Sequence, residues 1–147
     1  MLPRLKVLFL CTGNSCRSQM AEGWARILHG DIMEPFSAGT APARIDPRAI
    51  EVMREVGIDL SRQRSKHVDE LSGVAFDWVV TVCDSAQESC PVITGPAHRL
   101  HAAFDDPPRL AADAGTEEQA LGHYRRVRDE IREFGGALPG RLAGGRA

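Results

Sequence analysis

Short apolar runs alternate with amphipathic segments along this chain, and polar loops separate them. The run Leu5–Leu10 has the length of a strand, and its nearly continuous apolar character is typical of a strand buried on both faces. Ser18–His29 then carries apolar residues at helical spacing and ends at Gly30. Because strands that alternate with helices pair in parallel, this pattern predicts an α/β fold built on a parallel sheet.

The remaining segments continue the same alternation. Further strands are predicted at Met33–Ser37, Phe76–Val82 and Arg99–Phe104. Helices are predicted from the Asp46 cap to Gly57, over Val68–Leu71, over Asp84–Cys90 and from the Thr116 capping box to Ile131. We therefore expect a single-domain, three-layer α/β sandwich with about four parallel strands and helices on both faces.

Length and charge exclude several classes of protein. The chain has 147 residues, of which 43% are hydrophobic and 26% are charged, and its formal net charge is −2. A chain of this size buries a core unaided, so we expect one domain over residues 1–134. Residues 135–147 are rich in Gly and Ala, and their composition predicts a disordered tail. We expect no nucleic-acid partner, because the net charge offers no cationic field for a phosphate backbone.

The four cysteines bear on the compartment and on the chemistry. The longest apolar run is too short for a bilayer and no secretory signal pattern opens the sequence. We therefore expect a cytoplasmic protein without a membrane partner. We also expect a monomer. In a reducing compartment, cysteines are more often reactive or metal-binding than structural. Their spacing fits a structural zinc site poorly, so we expect reactive thiols and no metal ion.

The loop between the first strand and the first helix carries a candidate nucleophile. Cys11 ends the strand, and Arg17 and Ser18 open the helix. Backbone N–H groups of such a loop form an anion cradle, which the helix N-terminus strengthens. Arg17 can bind two oxyanion oxygens, the same field favours Cys11 as a thiolate, and Ser18 can donate a hydrogen bond to its sulfur. The residues expected to bind the oxyanion are Thr12, Gly13, Asn14, Ser15, Cys16 and Arg17.

A second pair of cysteines follows the strand Phe76–Val82. Cys83 comes directly after that strand, as Cys11 comes after the first, so a parallel sheet brings both to one edge. Cys90 lies seven residues further on. In a helix, the two residues would be about 10.5 Å apart along the axis, too far for a disulfide. Either the segment is a loop, or it unwinds when the pair is oxidised, or both residues are small core hydrophobes.

The segment Cys11–Ser18 resembles the phosphate-binding loop of the low-molecular-weight protein tyrosine phosphatase fold. Within that fold, Cys11–Trp24 is similar to the arsenate reductases that draw electrons from thioredoxin. The resemblance extends over Ser37–Gly39, Val79–Cys83, Cys90–Pro91, Phe104–Pro107 and Arg126–Ile131. It therefore covers most of the chain from Leu5 to Phe134.

The resemblance implies a function and a site. Cys11 would attack arsenate, Cys83 would displace arsenite, and Cys90 would then attack Cys83 to leave a disulfide for thioredoxin. Asp106, which directly precedes a proline, would act as general acid. The catalytic residues implied are Cys11, Cys83, Cys90, Arg17, Ser18 and Asp106. Phosphate and sulfate would compete with arsenate, and no cofactor is implied.

Some relatives hold a structural potassium ion with residues that match Asn14, Glu22 and Ser37. The two further matching positions are Arg64 and Lys66, whose cationic side chains cannot ligate a metal. We therefore expect no potassium site, with a basic side chain beside Glu22 in place of the ion.

Two other functions remain open. A low-molecular-weight phosphatase, acting on phosphotyrosine or a small phosphoester, would need only one of the four cysteines, Cys11. Members of that class carry tyrosines after Asp-Pro, whereas this chain has Pro108 and Arg109 there. A noncatalytic redox-sensing or phosphocarrier module would not need the general acid Asp106. A reductase would retain weak phosphatase activity, because arsenate and phosphate are alike in shape and charge.

Overall fold

In the computed structural model, which describes residues 3–84 and 95–144, four strands form one parallel sheet. The strands are β1 (Leu5–Cys11), β2 (Met33–Gly39), β3 (Trp78–Thr81) and β4 (His98–His101). Their order across the sheet is β2-β1-β3-β4, and every neighbouring pair is parallel. β1 therefore lies inside the sheet, which explains its nearly continuous apolar sequence.

Within the described residues, four α-helices and two short 3₁₀ helices accompany the sheet. The α-helices are α1 (Arg17–His29), α2 (Pro47–Arg54), α3 (Pro107–Ala111) and α4 (Glu117–Gly144). The 3₁₀ helices are Leu60–Arg62 and Val68–Leu71. The predicted caps form: the carboxylate of Asp46 accepts from the amide of Arg48, and the Thr116 hydroxyl accepts from the amide of Gln119.

Each face of the sheet carries its own apolar core, and alternation along β1 divides the residues between them. Val7 and Phe9 lie in the larger cluster, to which α1, α2 and α4 contribute. Leu8 and Leu10 lie in the smaller cluster, against which the 3₁₀ helix Val68–Leu71 packs. Helices therefore cover both faces, and the predicted layered architecture is confirmed.

The chain after Gly135 differs from the disordered tail predicted over 135–147. α4 continues as a helix to Gly144, and Leu138 and Leu142 are both fully buried in the larger core. Their spacing of four places both side chains on one face of the helix. Burial of two leucines contributes several kcal/mol, about 1.5–3 kcal/mol each, and outweighs the low helix propensity of the surrounding glycines.

The bounds of other elements also differ from those predicted from the sequence. The strands predicted at Phe76–Val82 and Arg99–Phe104 are shorter, and residues 102–106 form a loop that ends at the N-terminus of α3. We name residues 102–106 the acid loop. The helix predicted at Asp84–Cys90 lies outside the described residues from position 85 onward. Within the part of the chain that the structure describes, no helix is both long and apolar enough to cross a membrane.

Candidate active site

The sulfur of Cys11 lies at the carboxyl end of β1 and has two hydrogen-bonding neighbours. The Sγ atom is 3.0 Å from Ser18 Oγ and 3.3 Å from the backbone nitrogen of Asn14, which donates to it. The side-chain amide of Asn14 donates to Ser18 Oγ at 2.8 Å. Because the Ser18 oxygen accepts the hydrogen bond from Asn14, the hydrogen of the Ser18 hydroxyl can point at the Cys11 sulfur. Ser18 is therefore placed to stabilise a Cys11 thiolate.

The carbonyls of the loop after Cys11 are paired with groups outside it. Backbone N–H groups of Ala41, Ala43 and Asp46 donate to Thr12, Gly13 and Ser15 respectively, at 2.9–3.0 Å. The C=O of one residue and the N–H of the next point in opposite directions across a trans peptide. Carbonyls held outward therefore turn the following N–H groups inward, which is the geometry of an anion cradle.

Two backbone features allow the loop to turn so tightly. Asn14 has a φ of 48°, in the left-handed region that asparagine adopts more readily than most residues. Gly39, at the end of β2, lies so close that a Cβ there would be 2.3 Å from the carbonyl oxygen of Thr12. The loop therefore depends on a residue without a side chain in the neighbouring strand.

Arg17 connects the loop after Cys11 to the acid loop. Its guanidinium donates to the carbonyl oxygen of Phe104 at 3.0 Å and lies 3.5 Å from the carboxylate of Asp106. Arg17 is buried, and the side chain of Asp106 is partly exposed. Asp106 stands at the N-cap position of α3 with extended backbone angles, as expected before a proline. The structure thus brings the predicted acid and the predicted anion-binding arginine together.

Cys16 occupies the same loop and is chemically distinct from Cys11. Burial raises the pKa of the Cys16 thiol well above its ordinary value, and the negative charge of Asp46 raises the pKa further. Cys16 is a free thiol at the N-cap position of α1. The higher pKa favours the thiol form of Cys16, and a thiol is a weaker nucleophile than a thiolate.

Cys83 lies at the same edge of the sheet as Cys11. Leu10 pairs with Thr81 across β1 and β3, so both strands end at nearly the same level. Cys83 is fully buried and disulfide-bonded, whereas Cys11 is a free thiol. Cys83 and Cys11 are therefore not bonded to each other in this structure. Cys90 lies outside the described residues.

The residues matched to the potassium site do not fit a potassium ion. Glu22 is buried; Ser37 Oγ donates to its Oε1 and the Arg26 guanidinium to its Oε2, both at 2.6 Å. The Lys66 ammonium donates to the carbonyl oxygen of Arg64 at 2.9 Å, and burial lowers the pKa of Lys66. Arg26 thus forms the direct ion pair with Glu22, whereas Lys66 interacts with Glu22 only through its charge. Across residues 3–84 and 95–144, no cluster of three or more His, Cys, Asp or Glu could hold a metal ion.

The sequence analysis missed the partners that hold Asn14. Its carbonyl oxygen accepts from Gln19 Nε2 at 3.0 Å and from Ser65 Oγ at 2.5 Å, and its side-chain oxygen accepts from the amide of Lys66. Gln63 in turn donates to Gln19 Oε1 at 2.7 Å. Apart from the contact between Gln19 and Asn14, these hydrogen bonds join residues 44 to 52 positions apart in the chain, and no local pattern signals them.

A model of the low molecular weight phosphotyrosine protein phosphatase family matches residues 6–142. The chain belongs to this family. The resemblance drawn from Cys11–Ser18 and its flanking segments is confirmed, and so is the fold class. Within the family, the chain is 47% identical over 125 residues to the arsenate reductase of Bacillus subtilis, an alignment that covers 85% of this chain and 88% of that protein.

Solved structures of the family agree with this relationship. An arsenate reductase in the phosphate binding state has a TM-score of 0.73 and 32% identity, and the match covers 94% of this chain and 98% of that one. The thioredoxin-dependent arsenate reductase of Corynebacterium glutamicum has a TM-score of 0.65 and 26% identity, over 97% of this chain and 64% of that one. The similarity therefore includes both the loop and the edge that carries Cys83.

Proposed function

We propose that this protein reduces arsenate to arsenite at Cys11 and forms a Cys11–Cys83 disulfide in doing so. Cys90 then converts it to a Cys83–Cys90 disulfide, which thioredoxin reduces. The observation that carries the proposal is a second, disulfide-bonded cysteine, Cys83, at the sheet edge that holds the Cys11 loop. A phosphoester hydrolase would need one nucleophile only. The 47% identity to an arsenate reductase supports the same substrate.

The residues around Cys11 have separate tasks in this proposal. The loop amides that follow outward-held carbonyls within residues 12–17, together with the Arg17 guanidinium, bind the arsenate oxygens. Ser18 stabilises the attacking thiolate. Asp106, near Arg17, supplies a proton to the oxygen that leaves. Phosphate and sulfate would compete at the same cradle, because they present a similar oxyanion.

The reaction balances over three thiols and an external dithiol. The Cys11 sulfur attacks arsenic, and an oxygen leaves as water with the proton from Asp106. The Cys83 thiolate then attacks the Cys11 sulfur, the sulfur–arsenic bond breaks, and its electron pair stays on arsenic, which leaves as arsenite. The Cys90 thiolate attacks Cys83 and releases Cys11 as a thiolate. Two electrons from the thioredoxin dithiol reduce the remaining disulfide.

No resident cofactor enters this scheme, since the thiols carry the electrons. A relay that must be reduced after every turnover belongs in a reducing compartment, so we propose a cytoplasmic location. All three thiols come from one chain, so we propose that a monomer is active.

The test is arsenate-dependent NADPH oxidation with thioredoxin and thioredoxin reductase, with a glutaredoxin system as the control reductant. We expect turnover with thioredoxin and none in Cys11→Ser. In Cys83→Ser, we expect multiple-turnover reduction to stop while hydrolysis of p-nitrophenyl phosphate continues. Equal loss of both activities in Cys83→Ser would reject the relay and assign Cys83 a structural role.

Hydrolysis of phosphoesters is the second candidate function. The family model and the placement of Asp106 beside Arg17 favour it, because Cys11, Arg17 and a general acid suffice for that chemistry. Arsenate reduction and ester hydrolysis would share the first attack and differ in the step that resolves it. We therefore expect weak phosphatase activity in the same protein.

A further inference from the structure

The acid loop ends in two adjacent aspartates, and the structure gives them different partners. The Asp106 carboxylate lies 3.5 Å from the guanidinium of Arg17, in the candidate active site. The Asp105 carboxylate lies 2.9 Å from the guanidinium of Arg126, which belongs to α4. Asp106 therefore lies in the candidate active site, and Asp105 connects the acid loop to α4.

Arg126 contacts a second carboxylate besides Asp105, and this contact fixes the orientation of its guanidinium. Its second amino group donates to Glu130 at 2.9 Å, one helical turn further along α4. The ring of Phe104 packs edge-on against Phe134 of the same helix, with the ring centroids 5.7 Å apart. Two neighbouring residues of the acid loop are thus attached to α4, one through packing and one through an ion pair.

We propose that Arg126 and Asp105 are positioning residues that hold the acid loop so that the Asp106 carboxyl faces the anion bound at Cys11. The proposal rests on the proposed function for the acid role of Asp106. Pro107 restricts the backbone of Asp106 but does not set how closely the loop approaches Arg17. A general acid must lie within hydrogen-bond reach of its target, so a loop released from α4 protonates the leaving oxygen less often.

Ester hydrolysis reports on this step directly. As the phosphorus–oxygen bond breaks, the electron pair of that bond stays on the leaving oxygen, and the Asp106 proton moves to the same oxygen. Phenolate is a poor leaving group and needs the proton, whereas p-nitrophenolate is stable without it. A misplaced acid therefore slows phenyl phosphate more than p-nitrophenyl phosphate. A general loss of folding or of anion binding would slow both esters alike.

The experiment compares Arg126→Met and Asp105→Ala with the parent protein on both esters. We expect kcat/KM for phenyl phosphate to fall about threefold to fivefold, which is within the range for an exposed ion pair, while that for p-nitrophenyl phosphate changes less than twofold. The double variant should lose no more than either single one. Arg125→Met is the matched control, because Arg125 is adjacent on α4 but pairs with Glu55. It should leave the ratio of the two esters unchanged.

A second measurement decides the matter even if neither ester is hydrolysed. Backbone amides of residues 102–106 should exchange hydrogen faster in Arg126→Met than in Arg125→Met. Equal exchange in the two variants, an equal loss on both esters, or an unchanged ester ratio in Arg126→Met would overturn the proposal. A shifted ester ratio without any arsenate-dependent NADPH oxidation would reject the proposed reductase function and leave the positioning role standing.

Discussion

The ring Nε2 of His29, on α1, lies 2.9 Å from the carbonyl oxygen of Gly135, on α4. Pro139 stands four residues after Gly135 inside the helix and has no N–H to give to that carbonyl. Gly135 is buried, and a buried carbonyl without a donor is destabilising. His29 therefore supplies from another helix the hydrogen bond that the proline removes. This requires a hydrogen on Nε2, in the neutral tautomer or in the imidazolium.

We predict that His29→Leu lowers the free energy of unfolding by about 1–2 kcal/mol, because the Gly135 carbonyl loses its donor. In a Pro139→Ala background, the restored backbone N–H can reach that carbonyl, so the same change should be less destabilising. Urea unfolding of the four proteins measures this coupling. His29→Gln, which keeps an N–H donor, is the control. An equal loss in both backgrounds would contradict the assignment.

Gly39→Ala should damage the site more than any distant glycine change. The new Cβ would meet the Thr12 carbonyl at 2.3 Å and the Asn14 nitrogen at 3.0 Å, and backbone atoms cannot move aside as a side chain can. We expect a loss of about 1–3 kcal/mol in stability. Displacement of the loop after Cys11 should lower kcat/KM for arsenate reduction by about tenfold to a hundredfold. Phosphate inhibition should weaken in parallel, which steady-state kinetics measures.

Gly136→Ala is the matched control for that substitution. A Cβ at Gly136 meets nothing within 4 Å, and the position is exposed in the interior of α4. Alanine should stabilise the helix there by about 0.5–1 kcal/mol and leave kcat/KM unchanged. A loss of activity in this variant comparable to that in Gly39→Ala would mean that the loop is not the cause.

Glu55 should give part of the stability a dependence on acid pH. Hydrogen bonds from Arg125 and then from Arg128 lower the pKa of Glu55, and Arg128 is itself buried. Since the pKa is lower in the folded state, the pairing stabilises at pH above the ordinary carboxyl value and is lost as pH falls through the folded value. Glu55→Gln should be less stable than the parent by about 0.5–1 kcal/mol at pH 7, because solvent screens this exposed carboxylate, and the difference should vanish in acid.

Urea unfolding at several pH values measures that difference. Glu118→Gln serves as the control, because Glu118 contacts Arg125 from a largely exposed position. It should change stability by less than about 0.5 kcal/mol at any pH. A gap between Glu55→Gln and the parent that stays constant down to acid pH would show that the charge of Glu55 is not what matters.

Cys90→Ser should allow one turnover of arsenate and then stop. Without the third thiol, the Cys11–Cys83 disulfide formed in that turnover has no internal partner to resolve it. Mass mapping of peptides after one equivalent of arsenate should find that disulfide. Cys16 in the trapped bond, or sustained turnover with thioredoxin, would contradict the order of the relay.

The local parts of the site could be read from the sequence. Cys11, Arg17 and Ser18 lie within eight consecutive residues between a strand and a helix, so the chain itself brings them together. Their relation to Asp106 followed only from the family resemblance, since 89 residues separate Asp106 from Arg17. The structure supplies that contact through the carbonyl of Phe104 and the carboxylate of Asp106.

Features that depend on packing could not be read in the same way. Gly and Ala after Gly135 suggested a disordered tail, because propensity and composition were judged without knowing that Leu138 and Leu142 reach the core. The cation beside Glu22 was sought among the positions matched to the ion, whereas the direct ion pair is formed by Arg26, one turn along the same helix. In both cases a tertiary or same-face contact decided the outcome.

The complete burial of Cys83 sets a condition on how electrons enter the protein. A reductant can attack the Cys83 sulfur only when that sulfur is exposed, so attack at Cys83 requires this sheet edge to open first. If electrons enter at Cys83, turnover rises with reductant concentration and then levels off at the rate of opening. A plateau that is the same for large and small donors would therefore place the entry of electrons at Cys83. Plateaus that differ between donors would place it at the other sulfur of the disulfide.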